Sequence, residues 1–221
     1  MEIKRTSKIA SDKVTILVYG PSGAGKTTLI QTLPSPIVLS AEGGLLSIAD
    51  ADLPFIEITK MEDLVEVYQW LTESKEAEEF KSVALDSISE IAEVVLGHAK
   101  EKSKDPRQAY GFMQDEMAKI IRAFRDIDGR HVYMSAKVEK TQDETGRLLY
   151  GPAMPGQKMG QSLPYFFDEV LALRVEKDDE GNSQRAIQTQ PDGVWSAKDR
   201  SGKLESWMDP DLGGIIKAIQ S

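Results

Sequence analysis

Residues 14–33 constrain this chain more than any other stretch. An unbroken apolar and β-branched run at 14–20 (VTILVYG) passes straight into Pro21-Ser22-Gly23-Ala24-Gly25-Lys26-Thr27-Thr28 and then into LIQTL at 29–33. Such a run predicts a strand buried on both faces, followed by a glycine-rich loop that opens a helix. From Gly20 to Thr27 the residues match G-x-x-x-x-G-K-[ST] at every specified position, and the strand–loop–helix context is the one that gives the motif its meaning. Glycines let backbone N–H groups wrap a chain of phosphates, and the start of a helix favours negative charge. Gly20, Pro21, Ser22, Gly23, Ala24, Gly25, Lys26, Thr27 and Thr28 are therefore the expected seat of a nucleoside triphosphate with magnesium, ATP and Mg²⁺. Lys26 would reach the β- and γ-phosphates, and the Thr27 hydroxyl would ligate the cation.

The rest of the chain reads as strands alternating with helices. Short apolar runs at 37–39, 55–58, 82–86 and 131–135 predict strands. Helices are expected over about 61–75, over 88–102, and from Pro106 to Gly129, where Met113, Met117, Ile120, Phe124 and Ile127 recur at spacings of three and four. Asp105-Pro106 suits a helix start. This alternation implies βαβ units and a mostly parallel sheet. After residue 147 the pattern changes to two strands, 169–176 and 184–190, joined by a turn-rich stretch. A short helix over 209–221 ends the chain. The expected fold is α/β, a mostly parallel central sheet with flanking helices and a C-terminal β-hairpin, in one domain over 1–221 with a polar arm at 1–13.

Composition removes several alternatives. With no cysteine and only His98 and His131, disulfide frameworks, thiolate metal sites, thiol catalysis and a multi-histidine centre are excluded. No apolar run approaches the roughly 20 residues that span a bilayer. The first 13 residues lack the apolar core of a secretory signal. A cytoplasmic protein without a membrane partner is expected.

Two acidic residues stand where hydrolysis chemistry would need them. Asp86 ends the run SVALD, a strand end from which a carboxylate is expected to hold the magnesium shell; the alternative is a cap on the helix that begins near Ile88, a place Ser87 can fill instead. Glu42 lies just past the second strand, before Gly43 and Gly44. Ligands of open α/β sheets gather at those strand ends, so Glu42 can activate water, or it is a solvated loop glutamate.

With these residues in place the sequence resembles the RecA-type P-loop ATPases. The resemblance implies that Glu42, in Ser40-Ala41-Glu42-Gly43-Gly44, is the catalytic base. Lys198-Asp-Arg200-Ser-Gly202 resembles the K-x-R-x-G element of related helicases, which implies that Lys198 and Arg200 reach a neighbouring subunit's nucleotide; an exposed basic hairpin turn is the alternative. More narrowly, the chain resembles the phage-encoded single-strand annealing recombinases built on a RecA core alone, with no further domain evident before residue 14 or after the hairpin. This resemblance runs through Ala84-Leu85-Asp86-Ser87, Ser135-Ala136-Lys137, Leu163-Pro164 and Phe167-Asp168-Glu169-Val170. It implies action on single-stranded DNA in recombination or annealing, a homo-oligomeric ring or filament, and a single-stranded-DNA-binding protein as helper. Such proteins commonly place Gln or His after the strand that here reads HVYMSAK. Ser135 and Lys137 flank that position here, neither an amide nor an imidazole, with Lys137 as a charged sensor or an exposed lysine.

A DNA contact is expected in the segment 138–167. Residues 145–167 carry no acid, in a chain with 36 acidic and 27 basic residues and a net charge of −9. Their three prolines and four glycines predict a long loop rather than a regular element. Lys137, Lys140, Arg147 and Lys158 are the candidate phosphate contacts, while Tyr165 and Phe167 are expected to pack on the core. Repetition in an oligomer would multiply such weak contacts. Two rivals stay open: a nucleotide-switched assembly protein without DNA dependence, and a small-molecule kinase, against which the single arginine of 145–167 counts.

Overall fold

The computed structural model describes residues 13–177 and 180–221, with only the backbone at Gln157 and Lys158. The expected arm at 1–13 thus lies outside the described residues, except for Lys13. Strand β1 (Thr15–Gly20) is buried along its whole length. It pairs in parallel with β5 (His131–Gln142) on one side and β7 (Glu169–Lys177) on the other. Beyond β5 come β4 (Ser82–Asp86), β2 (Pro36–Ser40) and β3 (Phe55–Glu57), all parallel. Beyond β7 come β8 (Ser183–Gln188) and β10 (Trp207–Met208), both antiparallel to their neighbours. The mostly parallel α/β sheet and the hairpin of β7 and β8 agree with the expectation, and the fold is that of a P-loop nucleoside triphosphatase.

Alternation along the strands sorts side chains onto two faces. Leu17 and Tyr19 of β1 join Leu39, Leu85 and Met134 under three helices: α2 (Met61–Glu73), α3 (Ile88–Lys102) and α4 (Pro106–Arg125). Ile16 and Val18 face the other way with Val38, Ala84 and Tyr133. They are covered by the short α1 (Lys26–Leu29), the 3₁₀ turn Ile30–Thr32 and the terminal α6 (Leu212–Gln220). Ser87 caps α3 through the Glu90 N–H, and Asp105 caps α4 with Pro106 in its first turn, so Asp86 is free of capping duty. On α4 the buried position is Ile121 rather than Ile120. Ile120 instead borders a shallow apolar groove between α2 and α4.

The expected long loop over 138–167 is largely regular. Strand β5 runs on to Gln142 and folds back through a turn at Asp143 into β6 (Leu148–Ala153), antiparallel to it. Asp143 Oδ1 accepts from the N–H groups of Thr145 and Arg147, and Gly146 supplies the positive φ of 82°. Beyond β6 no full strand follows among the described residues, only a bridge in which Tyr150 donates to the Val194 carbonyl and accepts from the Ser196 N–H; Pro152, two residues on, shares that outward side, where a ladder donor can be missing. Helix α5 (Gln157–Ser162) and a 3₁₀ turn follow. Phe167 is fully buried, but Tyr165 is 82% exposed and does not pack on the core as expected. Among the described residues, no helix is long and apolar enough to cross a membrane.

Candidate functional site

The loop between β1 and α1 leaves the carboxyl edge of the sheet at its centre. Gly20 is required by its neighbour: a Cβ there would lie 2.7 Å from the Leu173 carbonyl oxygen of β7. Gly25 turns the chain into α1 with φ 103°, a left-handed conformation that disfavours other residues. No side chain caps α1, so its first N–H groups remain for a ligand. A cavity of about 760 Å³ opens here. Gly20, Ser22, Gly23, Gly25, Lys26, Thr27 and Thr28 form its floor, and Glu42, Gly44, Ser47, Lys137, Val138 and Arg185 its walls. Of the motif residues, Ala24 is buried in the core, and the Pro21 carbonyl accepts a hydrogen bond from Lys26.

Lys26 Nζ donates to the carbonyls of Gly20 (2.9 Å) and Pro21 (3.1 Å). Burial pulls its pKa below the usual lysine range, while Glu42 and Asp86 act in the opposite sense. Asp86, 2% exposed, lies at the end of β4. Its Oδ2 accepts from the Thr27 hydroxyl at 2.7 Å, and its other oxygen accepts from the Ser135 hydroxyl. A hydroxyl and a buried carboxylate side by side at the cavity floor are a donor set suited to a hard divalent cation. Glu42 is exposed on the wall.

The basic residues divide. Lys137 reaches the cavity wall but pairs with Glu90 of α3. Arg147 pairs with Asp143 at 3.2 Å, an acid just ahead of the stretch that read as acid-free. Lys140 is exposed on the β5–β6 hairpin and makes no ion pair among the described residues. Lys158 lies in α5, its side chain outside what is described.

Lys198 and Arg200 do not join the cavity of their own chain. The short β9 (Lys198–Asp199) pairs with Glu169 and Val170 at the start of β7. Glu169 is in register with Ile16, four residues before Gly20, so this pair lies roughly 13 Å along the strand from the phosphate loop. Lys198 donates to the Pro164 and Phe167 carbonyls, and Arg200 Nη1 to Asp168 at 2.6 Å. A place at a nucleotide for either residue would require a second subunit.

Three participants escaped the sequence reading. Ser135 flanks the expected sensor position in the sequence, and only the β4–β5 register brings it beside Asp86. The fully buried Tyr133 donates from its hydroxyl to the Lys26 carbonyl at 2.8 Å. Arg185 of β8 passes beside Gly25. Its signal was invisible because residues 160 positions apart meet only after β7 and β8 have joined the sheet.

A comparison with curated proteins finds no match to the chain. A family model described as an AAA domain matches residues 12–201, spanning the phosphate loop, Asp86 and the hairpin. The chain belongs to this family of AAA-type, nucleotide-binding P-loop ATPases.

Proposed function

We propose that this protein hydrolyses ATP with magnesium and acts as an oligomer on single-stranded DNA, in recombination or strand annealing. The observation that carries the ATPase half is the Thr27–Asp86 contact at the foot of the phosphate loop. Bound magnesium nucleotide supplies the phosphoryl group that water attacks and the cation that offsets its charge. Lys26 exchanges its Gly20 and Pro21 carbonyls for phosphate oxygens, a swap favoured by its partly desolvated ammonium. Thr27 and Asp86 would hold the cation, and Ser135 fixes the orientation of the carboxylate. Glu42, exposed on the cavity wall, orients water and takes up its proton. Lys198 or Arg200 of a neighbouring subunit completes the site.

The DNA half is supported by β5, which runs without interruption from Ser135 at Asp86, through Lys137 on the cavity wall, to Lys140 on the hairpin. A change at the nucleotide therefore has a rigid element along which to reach the hairpin. The ion pairs of Lys137 and Arg147 speak for the second reading, a nucleotide-switched assembly protein that ignores DNA. ATP hydrolysis with and without single-stranded DNA, at low and moderate salt, distinguishes the two. Stimulation by DNA, lost in Lys26→Ala and reduced in Lys140→Ala/Arg147→Ala, is the result expected. Hydrolysis unmoved by DNA, with no shift in DNA mobility, overturns the DNA half. Glu42→Gln should abolish turnover and retain ATP binding; unchanged turnover would remove Glu42 from the mechanism.

A further inference from the structure

Arg185 brings a second element of the chain to the phosphate loop. It stands on β8 opposite Val175, and its side chain lies against the loop: a Cβ on Gly25 would be 3.5 Å from its Nε and 3.6 Å from its Cζ. Arg125, Arg147, Arg174 and Arg200 each pair with a carboxylate. Arg185 makes no ion pair among the described residues, in a chain carrying 36 acidic residues. A guanidinium without a counter-ion among the described residues, on the wall of a phosphate cavity, has the geometry and charge to take a planar, bidentate phosphate contact.

Its place also indicates which phosphates it meets. Arg185 lines the main cavity and a smaller hollow of about 90 Å³ that continues along α1 past Gln31 and Thr32 to Pro210. The two spaces share Gly25, Thr28 and Arg185, whereas Glu42 and Lys137 line the main cavity alone. With Glu42 in its proposed role, the hydrolysing end is on the Glu42 side, and the hollow is the space left for the nucleoside. Arg185 stands between them.

Taking the cavity as the nucleotide site, we propose that Arg185 contacts the α- and β-phosphates of the nucleotide in cis and so clasps the β7–β8 hairpin onto it. The clasp depends on phosphates that ADP and ATP share, and it persists after hydrolysis.

Titration calorimetry with ADP, a non-hydrolysable ATP analogue and inorganic pyrophosphate, on wild type, Lys26→Ala, Arg185→Gln and Arg185→Lys, tests this. In Arg185→Gln all three ligands should weaken by about tenfold, the loss of one charge-assisted contact, and Arg185→Lys should recover part of it. Amide exchange over Ser183–Gln188 should slow on ADP binding in wild type and not in Arg185→Gln. Weakening of the ATP analogue alone would place the guanidinium at the γ-phosphate and overturn the proposal. Weakening of ADP with pyrophosphate unchanged would assign it to the base, with the same consequence. Unchanged affinities while Lys26→Ala abolishes binding would sink the Arg185 contact but keep the cavity reading. Binding by Lys26→Ala equal to wild type would overturn the cavity reading and the contact with it.

Discussion

Replacing Tyr133 by phenylalanine isolates one hydrogen bond between the sheet and the phosphate loop. Helix α1 tightens into a 3₁₀ turn after four residues, and the Ile30 N–H donates to the Thr27 carbonyl rather than to that of Lys26. The Tyr133 hydroxyl donates to the Lys26 carbonyl instead, at 2.8 Å. Burial holds this phenol well above its usual pKa, so it remains a donor at any working pH. The ring is fully buried on the α1 side of the sheet, and phenylalanine fills the same place. What is lost is a neutral hydrogen bond, ~0.5–1.5 kcal/mol net, and what is added is a buried carbonyl without a partner, ~1–3 kcal/mol. Against this, the hydroxyl no longer has to be desolvated. A loss of about 1–2 kcal/mol is expected, which in a chain of this size is a fall of roughly 2–8 °C in Tm. Urea unfolding followed by circular dichroism should show a lower midpoint at unchanged m. Because Lys26 is the residue released, ADP affinity should fall by a few-fold as well. A change below about 0.5 kcal/mol with ADP affinity intact would refute the reasoning. So would a loss above about 4 kcal/mol with altered m, since the ring would then have moved.

Further outcomes are expected elsewhere. Asp86→Asn should abolish the strengthening of nucleotide binding by magnesium while leaving magnesium-free binding unharmed, measured by titration with and without the cation. Glu169 is buried beside Asp199 and Asp168, and burial first, then these acids, raise its pKa from the usual 4.5 to about 8. The folded state therefore keeps a proton that the unfolded chain releases, and stability should fall as pH rises from about 4.5 to about 8. Glu169→Gln should flatten that slope in unfolding measured across the same range. Arg130 donates to the carbonyls of Leu71, Ala77 and Phe80 at 2.7–3.0 Å, closing the end of α2 and the turn after it. Arg130→Lys cannot reproduce the fork and should cost ~1–3 kcal/mol in urea unfolding.

The phosphate loop was legible because everything it needs is contiguous: an apolar strand at 14–20, then glycines, Lys26 and Thr27 within the eight positions 20–27. The helices were legible for the same local reason, and on α4 only the choice between Ile120 and Ile121 depended on which neighbours cover the face. Asp86 was readable as the end of a strand, and its freedom from capping followed only once Ser87 was seen to bond Glu90. The segment after Lys137 was not legible, because its prolines and glycines are compatible with a strand only where β6 lies outermost beside β5, bridged on its far side, among the described residues, at Tyr150 alone. By itself the sequence determined a phosphate-binding α/β chain and the residues of its cavity floor. The partners of those residues were decided by strand register. Ser135 reaches Asp86 across β4 and β5, Tyr133 reaches Lys26 beneath α1, and Arg185 reaches Gly25 from β8. Contacts between residues 49 to 160 positions apart leave no local pattern in the chain, since nothing short of the closed sheet makes them neighbours.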